Sequence, residues 1–167
     1  TDIKFIEEYA KNKLSRLSVS LGGGGNHKLL YFLIKNTKPL NVVETGVAAG
    51  WTSLAILRAF NKNGRGSLYS SDFPYFRLKD PEQYIGYLAQ EEINKENWYL
   101  DIRGDDIALP EIMKQLNNKI IDLFHYDSDK SYSGKTNSMK VLKSKLSSNT
   151  IIIFDDIQDN FHFRDLV

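Results

Sequence analysis

An α/β fold on a mostly parallel sheet, with helices on both faces, is predicted by three observations. Short apolar runs, each of a length that suits a buried strand, alternate along the chain with segments of helical periodicity. One junction, Val42-Val43-Glu44-Thr45-Gly46-Val47-Ala48-Ala49-Gly50-Trp51-Thr52, passes from an apolar run through a carboxylate and a glycine-bearing loop into an amphipathic segment. Each run also ends at or just before an acid: Glu44, Asp72, Asp105, Asp127 and Asp155. In a parallel sheet those ends share one edge, the edge where ligands bind.

The elements follow in order. Ile3, Ile6, Tyr9, Ala10, Leu14 and Leu17 recur at helical spacing, and Asp2 can cap that helix. Gly22 to Gly25 break the chain, and Asn26 can cap a second helix over 27–35. Pro39 closes this region, and 40–43 reads as a buried strand. After the Gly46–Gly50 loop come a helix to Phe60, a turn at 61–66 and a strand over 68–71. The mixed stretch 73–97, with Pro74, Pro81 and three tyrosines, suits a wall or lid with a short helix. Strands are expected over 99–103, 120–126 and 151–154, and helices over 110–116, begun by Pro110, and 135–146. The residues 161–167 can begin one more helix.

At 167 residues the chain reads as one domain, 1–167, with helices in 1–37 and a ligand-binding core in 38–167. Hydrophobic residues at 41% and charged residues at 26% fit a globular protein with a real core. A net charge of +1 gives no footprint for nucleic acid or a membrane surface. With no cysteine, disulfides and thiolate chemistry are excluded. No apolar run is long enough to span a bilayer and no signal peptide is visible, so a cytoplasmic location is expected.

The loop itself discriminates between ligands. A dinucleotide fingerprint needs Gly-x-Gly-x-x-Gly, so that backbone can approach the pyrophosphate. Here Ala48 occupies the middle position, the spacing is Gly46-x-x-x-Gly50, and no lysine or arginine adjoins it. Glu44 adds negative charge beside the loop. S-adenosylmethionine (SAM) suits such a site, since it carries an ammonium and a sulfonium and no phosphate. Asp72 is placed to receive its ribose hydroxyls, Asp105 its adenine amino group, and the helix end near Thr52 its carboxylate. Glu44, Gly46, Ala48, Gly50, Thr52, Asp72, Asp105 and Asp127 are the cofactor-site candidates. The simpler reading, that the acids only cap the helices that follow, accounts for one or two of them.

The ordered series Glu44-x-Gly46-x-x-x-Gly50, Asp72, Gly104-Asp105 resembles the motifs of class I SAM-dependent methyltransferases, Rossmann-like proteins. His125-Tyr126-Asp127-Ser128-Asp129-Lys130-Ser131-Tyr132 and Ile153-Phe154-Asp155-Asp156 are similar to the fourth and fifth strand ends of catechol-type and caffeoyl-coenzyme A-type metal-dependent O-methyltransferases, and Gly25-x-x-Lys28 resembles them upstream. The methyltransferase domain 24 family, which includes sugar hydroxyl methyltransferases, resembles the chain more closely still; its members often carry Asp-x-Asp-His-Ser-Tyr, and Lys130 stands where that histidine would fall. The resemblance covers the chain from about Gly22 onward. It implies a sheet of order 3-2-1-4-5 and a C-terminal antiparallel strand pair that is missing before Val167; a second copy of the chain, forming a homodimer, is one way to cover the fifth strand.

It also implies O-methylation of a small hydroxylated acceptor such as a sugar or polyol. Hydroxyls are poor nucleophiles until deprotonated, and Mg²⁺ on a few carboxylates lowers their pKa. Asp127, Asp155 and Asp156 can supply hard oxygen ligands, and Lys130 beside Asp127 can accept the proton. The alternatives for these residues are an ion-paired surface lysine and a turn-capping acid pair. His125 shares a strand face with Asp127 and either lines the pocket or is an ordinary buried histidine. Two other functions compete: a non-catalytic SAM-binding or partner module of the same fold, and a haloacid dehalogenase-like phosphatase suggested by Asp127-x-Asp129-x-Ser131. The latter would need its loop after the first strand, and here it follows the fourth.

Overall fold

The computed structural model describes residues 2–91 and 95–167. Two helices, α1 (Asp2–Leu14) and α2 (His27–Thr37), precede β1 (Asn41–Thr45). The chain then runs through α3 (Trp51–Asn63), β2 (Ser67–Ser71), β3 (Trp98–Asp101), α4 (Asp105–Leu116), β4 (Leu123–Tyr126), α5 (Tyr132–Leu142), β5 (Ile151–Phe154) and α6 (His162–Leu166). All five strands pair in parallel in the order β3-β2-β1-β4-β5. This is the Rossmann-like arrangement and order expected of the sequence. Its switch point falls between β1 and β4, where the next strand is added on opposite sides, and a crevice opens there at the strands' C-terminal ends.

The pleat sorts side chains between two cores. Val42, Leu68 and Leu123 are buried with Ile6, Leu30, Ile34 and Leu57 of α1–α3 on one face. Val43, Tyr69 and Phe124 are buried with Leu109, Ile112, Leu116 and Leu142 of α4 and α5 on the other. Among the described residues no helix is long and apolar enough to cross a membrane.

Several element ends differ from expectation. The first helix stops at Leu14. The helix α4 starts at Asp105, not Pro110, which lies inside it. Gly104, at φ 87°, turns the chain, and its carbonyl accepts from the amides of Ile107 and Ala108. Asp105 and Asp106 then place negative charge on the first turn, where the helix dipole favours it. Pro110 forfeits one backbone bond, and burial of Ala108, Leu109, Ile112 and Leu116 carries the helix through it. The fourth strand starts at Leu123; before it, the amide of Ile121 is taken by the carbonyl of Lys145, at the end of the 3₁₀ turn that follows α5. Helix α5 begins earlier, at Tyr132, capped by Ser131 Oγ, which accepts from the Gly134 amide. In place of the short helix expected within 73–97 there are two 3₁₀ turns among the described residues, Pro81–Tyr84 and Lys95–Asn97, and 92–94 of that stretch lie outside the described residues.

Candidate active site

The loop after β1 is held from three sides. Gly46, at φ 79°, donates its amide to the Ser71 carbonyl at 2.9 Å, and a Cβ at this position would collide with the Asp127 backbone carbonyl. Glycine is therefore what lets the ends of β1 and β4 close on each other. Ala48, also left-handed at φ 47°, donates its amide to Asp72 Oδ2 at 2.5 Å and accepts from the Gly86 amide at 2.8 Å. At Gly50, φ 90°, a Cβ would sit 2.9 Å from Gly86 Cα, so this second glycine serves the contact with the 84–89 segment.

Glu44 lies beneath this loop. Its carboxyl group is wholly buried and accepts hydrogen bonds from Ser53 Oγ at 2.6 Å, Ser70 Oγ at 3.1 Å and Thr52 Oγ1. Burial raises its pKa to about 7 against the opposing pull of those three hydroxyls. Glu44 and Thr52, two of the cofactor-site candidates, thus bond to each other.

The other acids do meet at the sheet edge. Gly46, Ala48, Asp72, Phe73, Asp105 and Asp127 help to line a cavity of about 540 Å³, a size common for small-molecule sites. Asp72 accepts at Oδ1 from the Phe73 amide, at 2.6 Å, and burial pushes its pKa up in spite of its backbone bonds. Asp105 opens α4 and ties two strand ends together, accepting from Ser71 Oγ at 2.6 Å and from Ser128 Oγ. Phe73 lines the cavity as the first residue of the stretch 73–97 expected to wall the site. Ser128 was not anticipated; nothing in the local pattern marks it, since it gains its place from the residue it follows at the end of β4.

Beside the cavity, Lys130 Nζ bonds to Asp127 Oδ1 and lies 2.8 Å from Asp156 Oδ2. Burial pulls its pKa down, but the hydrogen bonds and charges of the two carboxylates outweigh burial and hold the ammonium above the ordinary lysine range. Asp155 accepts at Oδ1 from the Asp156 amide at 3.0 Å. The groups that converge within 4.8 Å of one another are His125, Asp127 and Asp155, while the Asp156 carboxylate is directed to Lys130. His125 is fully buried, and burial lowers its pKa to about 4, leaving a neutral imidazole.

A parallel sheet of order 3-2-1-4-5 with its cavity at the switch point is an arrangement shared by Rossmann-like folds, the class I methyltransferase fold among them. Residues 43–157 match the family model for the methyltransferase domain, so the chain belongs to that family, the methyltransferase domain 24 family. No curated protein sequence matches it. Among solved structures, the O-methyltransferase from Bacillus cereus in complex with S-adenosylhomocysteine (SAH) is similar at TM-score 0.64 and 14% identity, over 92% of this chain and 66% of that one. The TDP-rhamnose 3′-O-methyltransferase of calicheamicin biosynthesis gives TM-score 0.68 and 14% identity, over 98% and 84%. The O-methyltransferase TomG from Streptomyces achromogenes, of tomaymycin synthesis and in complex with SAM, gives 0.66 and 13%, over 91% and 65%. The chain spans slightly less than two thirds of the length of the first and third of these.

Proposed function

We propose that this domain binds SAM and transfers its methyl group to a hydroxyl of a small acceptor, a sugar or another polyol, with a divalent cation at the Asp127–Asp155 end of the site. The observation that carries this reading is that a nucleoside-sized cavity and a convergent set of metal-ligand groups open at the same sheet edge. The similar structures whose names record SAM, SAH or O-methyl transfer to a sugar support it.

The residues present fit both groups. Asp72 and Asp105 place carboxylates at the cavity wall, and no lysine or arginine is among its lining residues. Asp127 has given one oxygen to Lys130 and Asp155 one to the Asp156 amide, and the second oxygen of each has no hydrogen-bond partner among the described residues. SAM supplies an electrophilic methyl group on a sulfonium, and a divalent cation supplies a Lewis acid that makes a bound hydroxyl more acidic.

The protein does the rest. Asp72 offers acceptor lone pairs to a ribose, in an orientation fixed by the Ala48 and Phe73 amides. Gly46 and Asp127 fix the width of the crevice, and Phe73 presents an apolar face to a nucleobase. Lys130 holds a proton at Nζ while paired with Asp127 and Asp156; a cation on Asp127 would remove one of those partners and favour release of that proton to solvent, after which the free amine would serve as the base for the acceptor hydroxyl.

Calorimetry with SAH, followed by transfer of labelled methyl from SAM to a panel of vicinal diols with and without divalent cation, tests the reading. SAH binding that weakens about ten-fold or more in Asp72→Asn, together with cation-stimulated transfer lost in Lys130→Met, is the expected result. Absence of SAH binding would overturn it. Binding without transfer to any diol would instead favour the non-catalytic module.

A further inference from the structure

Among the described residues, His125 is the one buried side chain with two polar atoms that lack a hydrogen-bond partner. Its ring is 0% exposed, and neither Nδ1 nor Nε2 has a hydrogen-bond partner. The Glu44 carboxyl group is 3.9 Å from Nδ1, beyond hydrogen-bond distance. Buried polar atoms are normally paired, and an imidazole with both nitrogens idle needs a reason. A reason stands beside it: one of its nitrogens lies within 4.8 Å of a carboxylate oxygen of Asp127 and of Asp155, which themselves lie as close to each other. Asp156 is not part of this group, because its backbone turns through φ 50° and its carboxylate is bonded to Lys130.

We propose that His125 is a direct ligand in a mixed nitrogen–oxygen centre with Asp127 and Asp155, and that the centre thereby favours a first-row transition ion such as Co²⁺ or Mn²⁺ over Mg²⁺. The inference rests on the reading that Asp127 and Asp155 belong to a cation site, and adds which third residue completes it and what kind of ion that residue selects. Imidazole is a good donor to first-row transition ions, whereas Mg²⁺ prefers an all-oxygen shell. Strand geometry supplies the arrangement. His125 and Asp127 are two residues apart on β4 and its extension, and His125 pairs in register with Ile153, two residues before Asp155. All three side chains therefore rise from the same face of adjacent strands.

The experiment measures Co²⁺ and Mg²⁺ affinity by calorimetry on the full chain with SAH present, and records pulsed EPR of bound Mn²⁺ with natural-abundance and ¹⁵N-histidine protein. The ratio of Co²⁺ to Mg²⁺ affinity reports the histidine, since any site of this kind prefers Co²⁺ to some degree. A histidine-nitrogen coupling on Mn²⁺, and a ratio that falls about ten-fold or more in His125→Asn while Mg²⁺ affinity changes little, is the expected outcome. The EPR measurement needs only the unaltered protein, so it decides the matter even if the variant does not fold. Ions that bind with no histidine coupling, and that are lost in Asp155→Asn, would overturn the role of His125 and leave the cation site standing. Failure of every ion to bind while SAH still binds would overturn both.

Discussion

Replacing Glu44 with glutamine isolates the buried carboxyl group under the glycine loop. Folding moves this group from an ordinary value of 4.5 to about 7. Between those values the folded chain keeps a proton that the unfolded chain has released. The associated stability is complete at low pH, is lost as pH rises through that window, and stays lost above it. At roughly 1.4 kcal/mol per unit the full shift is worth about 3 kcal/mol, of which about 2.5 kcal/mol falls between about pH 5 and about pH 8. Glutamine keeps an oxygen acceptor for Ser53 and Ser70 and offers an N–H to Thr52, without any titration.

The two proteins are therefore expected to be close in stability at about pH 5, and Glu44→Gln to be the more stable by about 2–3 kcal/mol at about pH 8, or about 5–10 °C in Tm for a chain of this size. Urea unfolding followed by the fluorescence of Trp51 and Trp98 measures this directly. The comparison must be a difference between the two proteins. His125, whose pKa is lowered to about 4, contributes a stability that rises with pH up to its unfolded value of 6.5 and so opposes the Glu44 trend in the parent curve. Parallel stability curves for the two proteins from about pH 5 to about pH 8 would refute the assignment of a proton to Glu44.

Two further substitutions test the frame around the site. Gly46→Ala combines a left-handed backbone with a collision against the Asp127 carbonyl, so a loss of about 2 kcal/mol or more is expected; thermal melting shows it, with weakened SAH binding as the companion readout. Lys13→Met keeps the apolar stem but deletes the ammonium that donates to the Tyr87 carbonyl at 2.7 Å and pairs with Glu91 at 3.2 Å. A loss of about 1–3 kcal/mol is expected, with faster hydrogen exchange over 84–91, the segment that packs on Gly50.

The sheet was legible because its signals are local. Five apolar runs separated by helical periods leave few topologies, and acids at the run ends marked the edge that holds the cavity. The start of α4 was not legible, because proline is a common first helical residue, and here tertiary burial of Leu109 and Ile112 overrides that preference. The divergence of the acid pair after β5 was not legible either. Asp155-Asp156 reads as a pair in sequence, yet consecutive residues after a strand point apart, and Asp156 finds Lys130 while Asp155 joins His125. Residue spacing could have singled out His125, two positions from Asp127, but only the packed structure shows that its nitrogens are idle.

The expected preference of the loop for a cationic cofactor would have a different structural basis from the one its sequence suggests. The sequence sets a carboxylate at position 44 beside the loop, but that group is buried, held by three hydroxyls and half protonated near neutral pH. Negative charge at the cavity comes instead from Asp72, Asp105 and Asp127, which line it directly. A second factor acts against phosphate. The amides that a dinucleotide loop would aim at a pyrophosphate are spent within the protein here: that of Gly46 on the Ser71 carbonyl, that of Ala48 on Asp72 and that of Gly50 on the Val47 carbonyl. A pyrophosphate would have to break the Ala48–Asp72 bond and then face the freed carboxylate, whereas a ribose can share that carboxylate and leave the bond intact. Under the proposed function, discrimination rests on the bond between the loop and Asp72, and the glycines act by bringing the two together.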